Sequence, residues 1–150
     1  MIELCELRKA FGGVPVLKNV SLAIPNGKVK VILGLSGSGK SVLMKHMIGL
    51  LKPDSGRIIV DGEDIVPLPE KALQRVRHKF GMVFQQSALF DSMTVFDNVA
   101  FPLREHRKLK PPEVREKVRE KLALVALEKS EDKYPAELSG GMRKRVGLAR

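Results

Sequence analysis

The sequence predicts an α/β fold, and three observations carry that prediction. Alternating or β-branched apolar segments fill the chain to about residue 85. Segments with apolar residues three or four apart fill the remainder. At the junction of one predicted strand and one predicted helix lies a glycine-rich run, Gly34-Leu35-Ser36-Gly37-Ser38-Gly39-Lys40-Ser41.

In chain order, residues 2–7 and 17–24 (LKNVSLAI) alternate apolar and polar side chains as half-buried strands do, with a turn at Gly12-Gly13. Cys5 sits among Leu4 and Leu7 and reads as packing, not as a reactive thiol. Pro25-Asn26-Gly27 marks a second turn before residues 28–33 (KVKVIL), a predicted buried strand. Residues 40–48 predict a helix that stops at Gly49. Residues 52–56 (KPDSG) form a loop, 57–60 (RIIV) a short strand, and Asp61-Gly62 a hairpin turn. A short helix over 70–78 and a second buried strand over 80–84 (FGMVF), ending at Gln85, complete the first part. Beyond Gln86 the pattern is helical. Thr94 is an N-cap for a helix with Val95, Val99 and Leu103 on one face. Pro111-Pro112 opens an amphipathic segment through Leu127 carrying Val114, Val118, Leu122 and Val125. A last helix begins around residues 139–141. The chain has no internal repeat and no low-complexity tract.

A chain of 150 residues with 43% hydrophobic and 29% charged residues has the composition of one soluble globular domain. No apolar run has the length of a bilayer span and no signal-peptide pattern opens the chain, so a cytoplasmic location is expected. A single cysteine excludes an internal disulfide framework and fits a reducing compartment. The net charge of +10 is compatible with nucleic acid or an anionic membrane surface. The positive residues are spread over 75–79, 104–110, 115–121 and 143–150, and aromatics do not interleave with them. Solvated helix faces are the better reading, and no specific nucleic-acid partner is expected.

Residues 34–41 match G-x-x-x-x-G-K-[ST], a phosphate-binding loop. A di- or triphosphate needs several converging donors, and backbone N–H groups are rigid ones. Gly34, Gly37 and Gly39 let the chain curl closely around phosphate oxygens. A helix starting at Lys40 adds unpaired N–H groups and a positive dipole end. Leu35, Ser36, Ser38 and Val42 complete the segment that would surround the nucleotide. Lys40 would reach the β- and γ-phosphates, and the Ser41 hydroxyl would ligate Mg²⁺.

Leu138-Ser139-Gly140-Gly141-Met142 is a second anion site in kind, with a serine hydroxyl, two unobstructed glycines and a helix N-terminus. The order phosphate loop, strand-end glutamine, helical region, then LSGG resembles the ATP-binding subunit of ABC transporters, over essentially the whole chain. The resemblance implies a P-loop NTPase fold of the ABC ATPase type: an antiparallel β-subdomain plus a partial RecA-like core, followed by a helical subdomain. It implies one partial ATP-binding domain over 1–150, with residues 1–85 as β-subdomain and core and 86–150 as helical subdomain. Phe11 stands where the family places an adenine-stacking aromatic, with Val16 packing nearby; an ordinary strand-end core residue is the alternative. Gln85 falls at the family's Q-loop, where it joins Lys40 in catalysis and Ser41 in the Mg²⁺ shell. Residues 138–142 would contact ATP bound to a second, facing subunit, so that ATP joins a head-to-tail dimer.

Residues 84–105 (FQQSALFDSMTVFDNVAFPLRE) and 138–150 (LSGGMRKRVGLAR) look like the ATPase of Mla/Mce-type lipid transporters, also described as toluene-tolerance or organic-solvent-resistance systems. Met142, in place of the more usual glutamine, fits that subgroup. The resemblance implies a membrane permease partner that docks near the Q-loop and helical subdomain, on the cytoplasmic face of the inner membrane. Leu89, Phe90 and Met93 are either part of that docking surface or plain core. The function implied is coupling of ATP binding and hydrolysis to transport of phospholipid or hydrophobic compounds. A soluble non-transporter ABC protein acting on nucleic acid or ribosomes, and a catalytically dead nucleotide-binding remnant, are the alternatives. The family continues past Arg150 with Walker B, the D-loop and a switch histidine, a role that His46, His78 and His106 cannot take. The chain is therefore expected to be incomplete, to lack hydrolysis alone, and to expose apolar residues such as Val31 and Leu33 beside an absent strand.

Overall fold

The computed structural model describes residues 1–85, 87–106 and 109–150, and for His106 the backbone alone. Gln86, Arg107 and Lys108 lie outside the described residues, and with them part of the basic run at 104–110. Two compact units emerge, Met1–Gly81 and Met82–Arg150, each with its own core.

In the first unit, β1 (Ile2–Phe11) and β2 (Val14–Ile24) pair antiparallel through Gly12-Gly13. Both turn glycines have positive φ, the backbone that a two-residue hairpin demands. β3 (Ser55–Val60) pairs with the other edge of β1 and turns at Asp61-Gly62 into β4 (Glu63–Asp64), giving the order β2-β1-β3-β4. Simple alternation fails at Glu6. Its φ of 50° marks a bulge, after which the register runs from Leu4↔Leu22 to Leu7↔Val20. The extra residue turns Leu7 back to the side of Leu4, and both are buried. The bulge presses on β3: a Cβ at Gly56 would lie 2.6 Å from the Cys5 carbonyl oxygen, so only glycine fits.

Helices α1 (Lys40–Met47) and α2 (Glu70–Arg77) cover this sheet with Leu43, Met47, Leu73 and Val76. Gly49 ends α1 at a φ of 66°. Arg77 then caps its carbonyls, donating to Ile48 O at 3.3 Å and Gly49 O at 2.7 Å. His46 is fully buried; its Nδ1 donates to Val42 O at 2.7 Å, and among the described residues its Nε2 has no hydrogen-bond partner.

Among the described residues, two predicted buried strands, 28–33 and 80–84, carry no ladder hydrogen bonds. Val29, Val31 and Leu33 are 91%, 71% and 87% exposed, and only Ile32 packs against the core. A short apolar run becomes a buried strand only when neighbouring strands pair with it, and neither of these two pairs with a described strand. The exposure expected at Val31 and Leu33 is thus present, whereas their burial is not.

The second unit is helical. α3 (Val95–His106) starts at Thr94, whose Oγ1 accepts from Asp97 N at 3.1 Å. α4 (Pro111–Leu124) ends three residues earlier than the pattern predicts. Ala126 adopts a φ of 53°, while Ala126 N and Leu127 N donate to Ala123 O and Leu122 O at 3.0 and 2.9 Å. This is a Schellman stop with alanine in the usual glycine place, and it turns Leu127 into the core. α5 (Gly140–Ala149) completes a core of Val95, Val99, Val114, Val118, Leu122 and Val146.

Candidate functional site

The phosphate-loop residues belong to the first unit. Gly37 and Gly39 have φ of 79° and 90°, so the loop needs glycine at both. At Gly39 the approach is also close. An added Cβ would lie 3.0 Å from Val16 Cγ1 and 3.3 Å from Val16 O, which places Val16 directly against the loop. A Cβ at Gly34 would meet Ser38 Oγ at 2.7 Å. Gly39 precedes α1, whose first regular bond runs from Leu43 N to Gly39 O at 2.8 Å. The N–H groups of Lys40, Ser41 and Val42 therefore lack helical acceptors. No acidic residue stands in that first turn to compete for an anion. Leu35, Ser36, Ser38 and Ser41 are exposed, and Val42 is half-buried against the core.

Lys40 folds back over this loop. Its Nζ donates to Gly34 O at 2.8 Å and Leu35 O at 2.7 Å, with Ser38 Oγ at 3.4 Å. The ammonium therefore sits within the curl of the loop. Loop carbonyls are weaker partners than phosphate oxygens for an ammonium.

Phe11 lies at the tip of the β1–β2 hairpin and is 44% exposed, which removes the core reading. Lys9 Nζ stands 5.5 Å from its ring centroid. The Asp54 carboxylate holds this end of β1, accepting from Lys9 Nζ and from Ala10 N, each at 2.7 Å. The hydrogen bond from Lys9, then that from Ala10, lowers the Asp54 pKa below its ordinary value. Sequence reading placed Asp54 only in a loop; the Pro-Asp-Ser-Gly turn gave no sign that its carboxylate reaches back to β1.

The second unit carries Gln85 and the LSGGM segment. Gln85 is exposed on a turn and borders a groove with Phe84, Leu89, Asp91, Pro135 and Arg143. Ser139 is the N-cap of α5, its Oγ accepting from Met142 N at 3.3 Å. Gly140 and Gly141 form an exposed first turn, and a Cβ at Gly141 would meet nothing within 4 Å. Leu138 is buried at 4% exposure and Met142 packs on the same core, so these two anchor the segment. Arg143 adds a donor, Nη1 to Leu138 O at 2.6 Å. Leu89 and Met93 are half-buried and Phe90 is 39% exposed, so this stretch is neither wholly core nor wholly surface.

Among the described residues no helix is long and apolar enough to cross a membrane. Residues 17–150 match the family model for the ABC transporter. The chain is 55% identical over 149 residues to the "Probable ribonucleotide transport ATP-binding protein mkl" of Mycobacterium tuberculosis, covering 99% of this chain and 42% of that protein. It is 41% identical over 150 residues to the "Intermembrane phospholipid transport system ATP-binding protein MlaF" of Escherichia coli, covering 100% of this chain and 56% of that protein. Among solved structures, the ATP-binding cassette MJ0796, a dimer in a post-hydrolysis state bound to ADP and Pi, superposes with a TM-score of 0.90 at 34% identity, over 99% of this chain and 68% of that one. The chain thus spans less than half the length of the mycobacterial relative. With its glycine loop at residues 34–41, its serine-capped helix at LSGG and these likenesses, the chain belongs to the ABC transporter family.

Proposed function

We propose that this chain is the nucleotide-binding portion of a transporter ATPase that uses ATP and Mg²⁺ to move phospholipid or another hydrophobic compound across or from a bacterial inner membrane. The observation that carries the nucleotide reading is the loop at residues 34–41: two left-handed glycines, a free helix N-terminus, and the Lys40 ammonium within the curl. The donor set fits a nucleotide phosphate, and the exposed Ser41 hydroxyl fits a hard divalent cation. Backbone N–H groups of the loop would orient the β-phosphate. Lys40 would exchange its carbonyl partners for β- and γ-phosphate oxygens and oppose charge developing at the γ-phosphate. Mg²⁺, held on the protein side by the exposed Ser41 hydroxyl, would supply further charge neutralisation. Phe11 offers an exposed face for the adenine, with Val16 below the loop.

Ser139, Gly140 and Gly141 would present the α5 N-terminus to ATP held by a second copy, closing a head-to-tail dimer. The dimeric state of MJ0796 supports the pairing of two copies. The lipid reading is supported by the likeness to MlaF and by the 84–105 and 138–150 stretches; the relatives named for ribonucleotide and methionine transport offer the competing cargos. On this reading the chain works at the cytoplasmic face of the membrane, against a permease that meets the surface around Gln85.

Titration of the chain with a fluorescent ATP analogue tests the nucleotide reading. Lys40→Ala should weaken binding by roughly tenfold or more, as loss of a charge-assisted contact does. Equal affinity of Lys40→Ala and the unmodified chain would remove the loop from nucleotide binding. Cargo is tested on the whole transporter in vesicles: phospholipid, but not methionine or a ribonucleotide, should stimulate ATP hydrolysis.

A further inference from the structure

The turn after Gln85 holds a backbone that two non-glycine residues rarely share. Ser87 and Ala88 both have positive φ, 62° and 48°, a region that L-residues keep only under constraint from their surroundings. The constraint comes from both sides. On one side Asn98 of α3 accepts from Phe90 N at 2.8 Å and donates to Phe90 O at 3.0 Å. On the other side α5 closes on the turn. Gly147 lies so near that an added Cβ would stand 3.1 Å from Ser87 O and 3.2 Å from Ser87 Cα. Arg150 Nη1 donates to Ala88 O. Its guanidinium lies 4.5 Å from the Phe90 ring centroid and 5.7 Å from that of Phe101, which pack edge to face. Ser87, buried at the centre, donates from its N–H to Phe84 O at 3.0 Å.

We propose that Arg150, together with Gly147, is a positioning residue that fastens the turn carrying Gln85 to the helix beginning at Ser139, so that a displacement of either segment is carried to the other. A planar guanidinium suits this task because it donates to a carbonyl at its edge while its face stacks on the aromatic pair. Lysine can supply the charge but not the stacked plane. The mechanical link stands on the geometry alone; its consequence for nucleotide response rests on the roles proposed above for Gln85 and Ser139.

The test uses the whole protein without nucleotide, so its failure is separate from a failure to bind ATP. Amide exchange is measured residue by residue in the unmodified chain, in Arg150→Ala and in Arg150→Lys. A nitroxide at Gln85→Cys, in a Cys5→Ser background, reports the mobility of the turn. Arg150→Ala should accelerate exchange at Ser87 and Phe90 by roughly tenfold and sharpen the nitroxide spectrum. Exchange at Val99 and Val118 should keep its rate, and Arg150→Lys should recover only part of the protection. Unchanged exchange at Ser87 and Phe90, or acceleration spread equally through α3 and α4, would overturn the proposal. Should Arg150→Ala fail to fold, Phe90→Leu removes the stacking surface with less disturbance. It should give the same local acceleration, and an unchanged turn in that variant would equally overturn it.

Discussion

Gly39→Ala separates the two reasons for glycine in the phosphate loop. The first is backbone conformation: at a φ of 90°, a Cβ-bearing residue is strained by about 1–2 kcal/mol. The second is space. The new Cβ would stand 3.0 Å from Val16 Cγ1, 3.3 Å from Val16 O and 3.4 Å from Leu17 Cδ2. Val16 and Leu17 lie within β2, tied to β1 by the register Lys9↔Leu17, so the backbone oxygen cannot simply retreat. Overpacking of this kind costs about 1–3 kcal/mol. Alanine's restriction of the unfolded chain returns about 0.4–1 kcal/mol. The net loss should be about 2–4 kcal/mol, a fall of roughly 1–2 M in the urea midpoint followed by far-ultraviolet circular dichroism. Gly37→Ala is the internal control: it has a φ of 79° but nothing within 4 Å of the new Cβ, so it should cost about 1 kcal/mol. Adding Val16→Ala to Gly39→Ala should recover about 1 kcal/mol relative to the sum of the single changes, because one of the two close partners is gone. If Gly39→Ala costs no more than Gly37→Ala, or if the double change is additive, the argument from close approach is refuted.

Three further outcomes follow from the same geometry. Asp61 accepts from Lys79 Nζ at 2.8 Å and from the Met1 ammonium at 2.7 Å, contacts that lower its pKa to about 2 from the ordinary 3.8. A depressed folded-state pKa contributes stability above the ordinary value and loses it as pH falls through the folded one, so Asp61→Asn should flatten the acid limb of the stability curve between roughly pH 4 and 2. Asn98, fully buried, serves Phe90 N, Phe90 O, Met93 O and Thr94 O; Asn98→Ala should cost about 2–4 kcal/mol in urea unfolding, and Asn98→Asp, which sets a carboxylate against three carbonyls, should lose more at pH 7 than at pH 4. Val29, Val31 and Leu33 are exposed on an unpaired segment, so Val31→Lys should change stability in urea unfolding by no more than about 0.5 kcal/mol; a larger loss would refute the exposure described there.

Turns and caps were legible because their chemistry is local. Gly12-Gly13, Asp61-Gly62, Gly49, Thr94 and Ser139 each announce a backbone conformation or a side-chain oxygen that works within three residues. Where the outcome depends on partners far along the chain, the pattern misleads. Residues 28–33 and 80–84 have the apolar content of buried strands, yet burial belongs to neighbours rather than to the segment itself. The Glu6 bulge is hidden because one inserted residue resets alternation without any distinctive side chain. Asn98 reads as an ordinary polar position on a helix until the turn at Phe90 is folded over it.

The same distinction explains why the geometry of the loop at residues 34–41 is legible in the sequence. Among the described residues, every hydrogen-bond partner of Lys40 lies within six residues of it, so the sequence pattern and the observed contacts describe one object. Gln85 is the opposite case. It is an exposed polar residue whose turn is held by Asn98, eight positions beyond Phe90, and by Arg150, sixty-two positions beyond Ala88. No spacing rule connects those positions. The residues that bind a ligand can be read from short motifs, but the residues that set a motif's conformation are distributed through the fold. Substitutions that alter the response of this site while sparing affinity should therefore fall among such distant partners, outside the glycine motifs themselves.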